Sequence, residues 1–126
     1  MNKHTKRLFL SDIEKQLIKS GEKVVISGKT VVKRNEFFSP YYKDALGRTN
    51  IERMRSGFAP IGNDGKIIEL HHLQQKDDGI IFEITSTMHR KNSKDLHRYT
   101  DISEIDRQAF NNWKRQYWAK RSEDFS

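Results

Sequence analysis

Four of the chain's five histidines, His71, His72, His89 and His97, bracket one short stretch of sequence. Imidazole has an unperturbed pKa near 6.5, so it serves as a base around neutral pH, and its neutral nitrogen is a good metal ligand. Hydrolysis of a phosphodiester needs both an activated water and a cation to stabilise charge on the phosphate and leaving oxygen. One histidine can ligate a metal while another deprotonates water. A His-His pair alone is more often a surface or capping feature, and His97-Arg98 near a helix end also suits the helix dipole. Four histidines around a strand–strand–helix unit strengthen the catalytic reading.

That unit is legible. Ile67 to Leu70 predicts a strand running into His71-His72. Adjacent strand residues point to opposite faces, so the pair shares one site only where the strand ends or bulges. The polar turn from Leu73 to Asp78 permits such an end. Gly79 closes the turn, Ile80 to Ile84 predicts a second strand, and Thr85, Ser86 and Thr87 are N-caps for a helix carrying His89. His97 lies on that helix or just past it.

Upstream, Ser11 and Glu14 have capping-box spacing before Leu17 and Ile18, and Gly21 is a helix stop, which predicts a helix over about 11–20. Val24 to Ile26 and Thr30 to Val32 predict a hairpin around Ser27-Gly28-Lys29. Glu36 to Leu46 reads as a loop packed by its own rings, Phe37, Phe38, Tyr41 and Tyr42. Thr49 and Glu52 repeat the capping-box spacing for a short helix ending at Gly57, and Asn63-Asp64-Gly65 is a turn. Ile102, Ile105, Ala109, Trp113 and Tyr117 predict one apolar helix face, with Arg107, Lys114, Arg115 and Arg121 opposite. The fold class is α+β.

The 126 residues suit one domain over 1–126. A net charge of +7 favours polyanionic partners without proving them. The absence of cysteine excludes disulfides, thiolate metal sites and cysteine catalysis. No apolar run approaches a membrane span, and the polar N-terminus does not suit a signal peptide. The run 1–7 and the tail after Arg121 read as poorly anchored.

Arg48 and Arg53 flank the helix start at Thr49, where guanidinium groups and an N-terminus would cradle phosphate; the alternative is ion pairing with Glu52 or Asp44. Arg90, with Lys91 and Lys94, could track a phosphate backbone or form a solvated helix face. Gln74 and Gln75 could steer a catalytic group, though such glutamines more often satisfy a turn. Glu69 and Glu83 alternate with apolar neighbours and are expected to face solvent or support basic residues. Trp113, Tyr117 and Trp118 read as packing groups.

The segments Gly47–Met54, Gly57–Lys66 and Glu69-Leu-His-His-Leu-Gln-Gln75 closely resemble the LHH family of the HNH/endonuclease VII superfamily. The likeness continues through Glu83-Ile84-Thr85, His89-Arg90, Asn92, Leu96-His97, Ile105-Asp106-Arg107, Phe110 and Tyr117-Trp118, spanning about 28–125. It implies a ββα-metal core over about 66–98, flanked by the N-terminal helix and hairpin and by the C-terminal amphipathic helix. It also implies a metal-dependent endonuclease in which His71 ligates an ion and His72 is the general base. His89 and His97 are the further ligands, with Asn92 as an alternative ligand or orienting group, and Gln75 and Glu69 in support. The ion would be Mg2+ or Mn2+, with Zn2+ or Ni2+ also suited to imidazole. Family members form C-terminal toxin domains of bacterial polymorphic toxins. The resemblance therefore implies secretion within a larger toxin, action in the cytoplasm of a target bacterium and neutralisation by an acidic cognate immunity protein. DNA is the expected substrate. The alternatives are an RNase on the same fold, or a non-catalytic nucleic-acid-binding module with a structural metal.

Overall fold

The computed structural model describes residues 12–73, 79–92 and 106–125. The run 1–7, Ser11, Gln74, Gln75, Lys94, Leu96, His97, Ile102 and Ile105, each used in the sequence reading, lie outside them. Helix α1 (Asp12–Ser20) leads through Gly21 into strands β1 (Glu22–Ile26) and β2 (Lys29–Lys33). Ser27 and Gly28 both have positive φ, 47° and 81°, as the two-residue hairpin connection requires. Helix α2 (Asn50–Arg55) follows a long connection containing the 3-10 turn Asn35–Phe37. Strands β3 (Ile68–His72) and β4 (Ile81–Thr85), helix α3 (Ser86–Lys91), helix α4 (Arg107–Arg121) and the 3-10 turn Ser122–Phe125 complete the order. This is the α+β arrangement expected, with helices at both ends of the described chain.

The strands form one sheet in the order β1-β2-β4-β3. β2 and β4 run parallel, and the other two pairings are antiparallel. β4 is therefore central and β3 is an edge. One face, with Val31, Ile68 and Ile81, packs under Phe110, Trp113, Tyr117 and Trp118 of α4 and Met54 of α2. The other face, with Val32, Phe82 and Ile84, packs under Leu17 of α1 and Met88 of α3. The helix ends are secured locally. Thr49 and Glu52 form the reciprocal capping box at α2. The Arg34 guanidinium donates to the carbonyls of Gln16 and Leu17 in the last turns of α1.

Five expectations about packing are corrected. Glu83 is buried instead of facing solvent, because β4 is covered on both faces and its alternation marks two cores, and it supports the basic Arg121, as the other half of the expectation had it. Arg121 is 1% exposed, drawn inward by Glu83. Ala109 is exposed and Phe110 takes its place in the buried face, since α4 starts only after its N-cap Asp106. The tail after Arg121 is anchored: Asp124 accepts from Lys33 and Arg121, and the Phe125 ring packs edge-on against Phe38. In the aromatic loop Phe38 joins the core, whereas Tyr41 and Tyr42 are exposed rather than packed on their neighbours.

Candidate active site

The β3–β4 register pairs His71 with Phe82 and His72 with Ile81. Pairing is regular through His72, and the Leu73 N–H continues it to the Ile80 carbonyl. With no bulge, the two histidines leave the strand on opposite faces. The His71 ring lies 5.2 Å from that of Phe82, on the face covered by α1 and α3. The His72 ring lies 4.4 Å from that of Phe110, on the α4 face. Both are buried. Because β3 is the sheet edge, both still line one cleft of about 480 Å³ along it.

Helix α3 brings His89 to the same place. Thr85 ends β4 and caps α3 by accepting from the Met88 N–H. The Asp64 carboxylate accepts from the Thr87 N–H, and the Ser86 hydroxyl donates to the Ile67 carbonyl, tying the first turn of α3 to the segment before β3. The His89 ring consequently sits 5.4 Å from the His71 ring. Its Nδ1 is 2.9 Å from Oε1 of Glu69, two residues before His71 and on the same face of β3. A neutral His89 that donates Nδ1–H to Glu69 turns its Nε2 lone pair away from the carboxylate and toward a cation.

Imidazole nitrogens are donors of the type a divalent ion takes. Two imidazoles bonded to one tetrahedral ion at about 2.1 Å place their ring centroids roughly 5 Å apart, close to the separation of His71 and His89. Among the described residues no group of three or more His, Cys, Asp or Glu is placed to hold a metal ion by itself. His97, the remaining histidine candidate, is outside them. Asn92 is the C-cap of α3, and its Nδ2 donates to the Met88 carbonyl.

The cations divide into two groups. Arg48 and Arg53 do not line the cleft; both pair with Asp44, at 2.8 and 2.9 Å. Partial desolvation pushes the Asp44 carboxyl up. Hydrogen bonds from the Arg48 N–H, both guanidinium groups and the Leu46 N–H outweigh it and hold the group well below the usual carboxylate range. Arg53 also donates to the Ala59 carbonyl. Their interactions match the ion-pair alternative. Arg90 is exposed on α3 and is not part of the cleft wall. The cleft's cations come instead from α4: Arg107, Lys114 and Arg115, beside Asn111. The apolar period of the helix sets these three opposite its buried face and does not show the cleft beside it. Their recurrence with Asn111 at spacings of three and four was the available signal.

No solved structure matches this chain. A family model described as a nuclease of the HNH/ENDO VII superfamily with conserved LHH matches residues 49–124, a span that contains both strands of the cleft edge, α3 and α4. The tripeptide of that description stands here as Leu70-His71-His72, at the end of β3. The chain belongs to the LHH family of HNH/ENDO VII superfamily nucleases.

Proposed function

We propose that this nuclease is a metal-dependent endonuclease toxin domain that hydrolyses phosphodiester bonds in DNA. The carrying observation is the opposed His71 and His89 rings, with Glu69 behind His89 and His72 on the same cleft. His71 and His89 would hold a divalent ion with His97 as a further ligand, and Glu69 fixes the His89 tautomer. A bound ion supplies Lewis-acid stabilisation of charge on the scissile phosphate and the departing oxygen. Mg2+ or Mn2+ is the expected ion, and imidazole donors also suit Zn2+ or Ni2+.

His72 acts as the base. It takes a proton as water oxygen bonds to phosphorus and the bond from phosphorus to the 3′ oxygen breaks. The products carry a 5′ phosphate and, after the 3′ oxygen gains a proton from solvent, a 3′ hydroxyl. Asn92 supports this machinery from the end of α3 by closing the helix that carries His89.

The resemblance to polymorphic-toxin C-termini supports export within a larger toxin and action in the cytoplasm of a target bacterium. It equally supports a cognate immunity protein. The cleft's cations, which have no carboxylate partner among the described residues, favour an acidic partner that covers them. Among the described residues no helix is long and apolar enough to cross a membrane.

The test is cleavage of supercoiled plasmid and of total RNA, with magnesium, manganese, zinc or EDTA, by wild type and His72→Ala. Metal-dependent plasmid nicking that the folded variant loses by at least 100-fold supports the proposal, in line with the typical worth of general-base catalysis. RNA loss with intact plasmid moves the same site to RNase chemistry. No cleavage by folded, metal-loaded protein leaves a binding module whose metal is structural.

A further inference from the structure

Arg107, Lys114 and Arg115 each stand three or four residues from Asn111, which gathers the four on one broad side of α4. All four face β3 across the cleft. Among the described residues, none of the three cations pairs with a carboxylate. By contrast, Arg34 pairs with Glu36, Arg53 with Asp44 and Arg121 with Glu83. Surface cations on a convex face need no partner, but these are gathered in a concavity. Lys114 is half-buried with its Nζ 5.1 Å from the Phe110 ring centroid. Burial and the neighbouring Arg107 charge lower its pKa, while Glu69 opposes that shift. A desolvated cation beside a like charge is a liability in the free protein that a bound anion relieves.

This side also has a direction. At one end Arg107 lies a turn before Phe110, whose ring meets His72. At the other end, a Cβ added at Gly57 would meet the Arg115 Cβ at 3.3 Å, so Arg115 sits against the end of α2. Eight residues of helix separate the two arginines, about 12 Å. That length matches about four successive phosphates at roughly 3.4 Å of axis per strand.

We propose that this side of α4 is the backbone-phosphate track of the nuclease. Arg107 holds the substrate strand at the His72 end, and Lys114 and Arg115 hold it further along. The proposal rests on the nuclease reading of the same cleft and adds which residues grip the substrate there. Contacts of this kind position a strand without reading its sequence.

The test separates grip from cleavage by working in EDTA. Binding of a labelled duplex and a labelled single strand is followed by fluorescence anisotropy from about 50 to 200 mM salt. The proteins are wild type, Arg107→Gln, Lys114→Gln, Arg115→Gln and the control Lys120→Gln, each checked for folding by circular dichroism. Lys120 is an exposed residue of α4 paired with Glu123, outside the cleft, and its substitution removes the same charge. Each track variant should weaken binding roughly eightfold at about 0.1 M salt and lower the salt slope by about 0.9 on duplex or 0.7 on single strand. Lys120→Gln should do neither. Track variants that bind like Lys120→Gln overturn the proposal, even if wild type cleaves DNA in the metal assay. Wild-type binding that depends on the track, with no cleavage under any metal, keeps the track and overturns the endonuclease mechanism instead.

Discussion

Glu83 accepts four hydrogen bonds: from the Arg34 N–H, the Tyr117 hydroxyl, and Nε and Nη2 of Arg121. It is fully buried, as is the Arg121 side chain. Burial and the facing carboxylate charge push the Tyr117 phenol far above its usual range, so it serves as a hydrogen-bond donor. Burial alone would weaken the Arg121 charge, but bonding to Glu83 more than compensates and keeps the guanidinium protonated. Removing one partner strands the other charge in the core. Glu83→Ala should cost about 3–5 kcal/mol in urea unfolding, whereas the double replacement Glu83→Leu, Arg121→Met should recover most of that loss. A cost under about 1 kcal/mol for the single change would rule out this pair as the brace between β4 and α4. A basic partner for Glu83 was foreseeable, but its burial and the choice of Arg121 were not, because alternation with apolar residues signals a half-solvated strand as readily as a doubly covered one. His71 and His72, by contrast, stood out by type alone, although only the sheet could show that they leave β3 on opposite faces.

Local signals at the element scale were strong where a cap or turn specifies the backbone by itself. The Thr49–Glu52 capping box, the stop at Gly57 with its φ of 87°, and the hairpin turn at Gly28 were all legible for that reason. Helix α4 was found by its period, with Trp113, Tyr117 and Trp118 buried as expected and its first turn misassigned. Extending the apolar pattern back to Ile102 and Ile105 selected Ala109, while the buried series is Phe110, Trp113, Tyr117, Trp118 and Arg121. The boundary lies at Asp106, whose carboxylate accepts from the Ala109 N–H at 3.2 Å. Placing Arg107, Lys114 and Arg115 opposite the apolar face left out of view the cleft that they line beside it. If Asp106 starts the helix, Asp106→Ala should lower stability by about 1 kcal/mol, and Asp106→Asn should retain most of it. Equal losses from both substitutions, or none from either, would place the start of α4 elsewhere.

At the scale of the whole molecule, the net charge of +7 divides between structure and function. One set of cations is consumed internally: Arg121 on Glu83 and Asp124, Arg53 and Arg48 on Asp44, and Lys33 on Glu22 and Asp124. Several of these side chains are largely shielded from solvent. The other set, Arg107, Lys114 and Arg115 of α4, faces the cleft without carboxylate partners among the described residues. Composition alone could not make this division, since it counts charges without saying which are already neutralised. The two sets should respond differently to salt. Screening lengths shrink from about 30 Å at 0.01 M to about 8 Å at 0.15 M, which weakens attraction between solvated charges far more than between buried ones. Raising potassium chloride from about 50 to 200 mM should therefore raise the KM for plasmid cleavage by at least tenfold, the direction set by release of counterions from the phosphates. Over the same range the thermal midpoint should move by no more than about 2 °C, because the internal pairs keep their partners. Measuring both quantities on one preparation decides the matter. A midpoint that falls in step with rising KM would mean that the fold rests on solvated charge, and the division between structural and substrate-binding cations would be wrong.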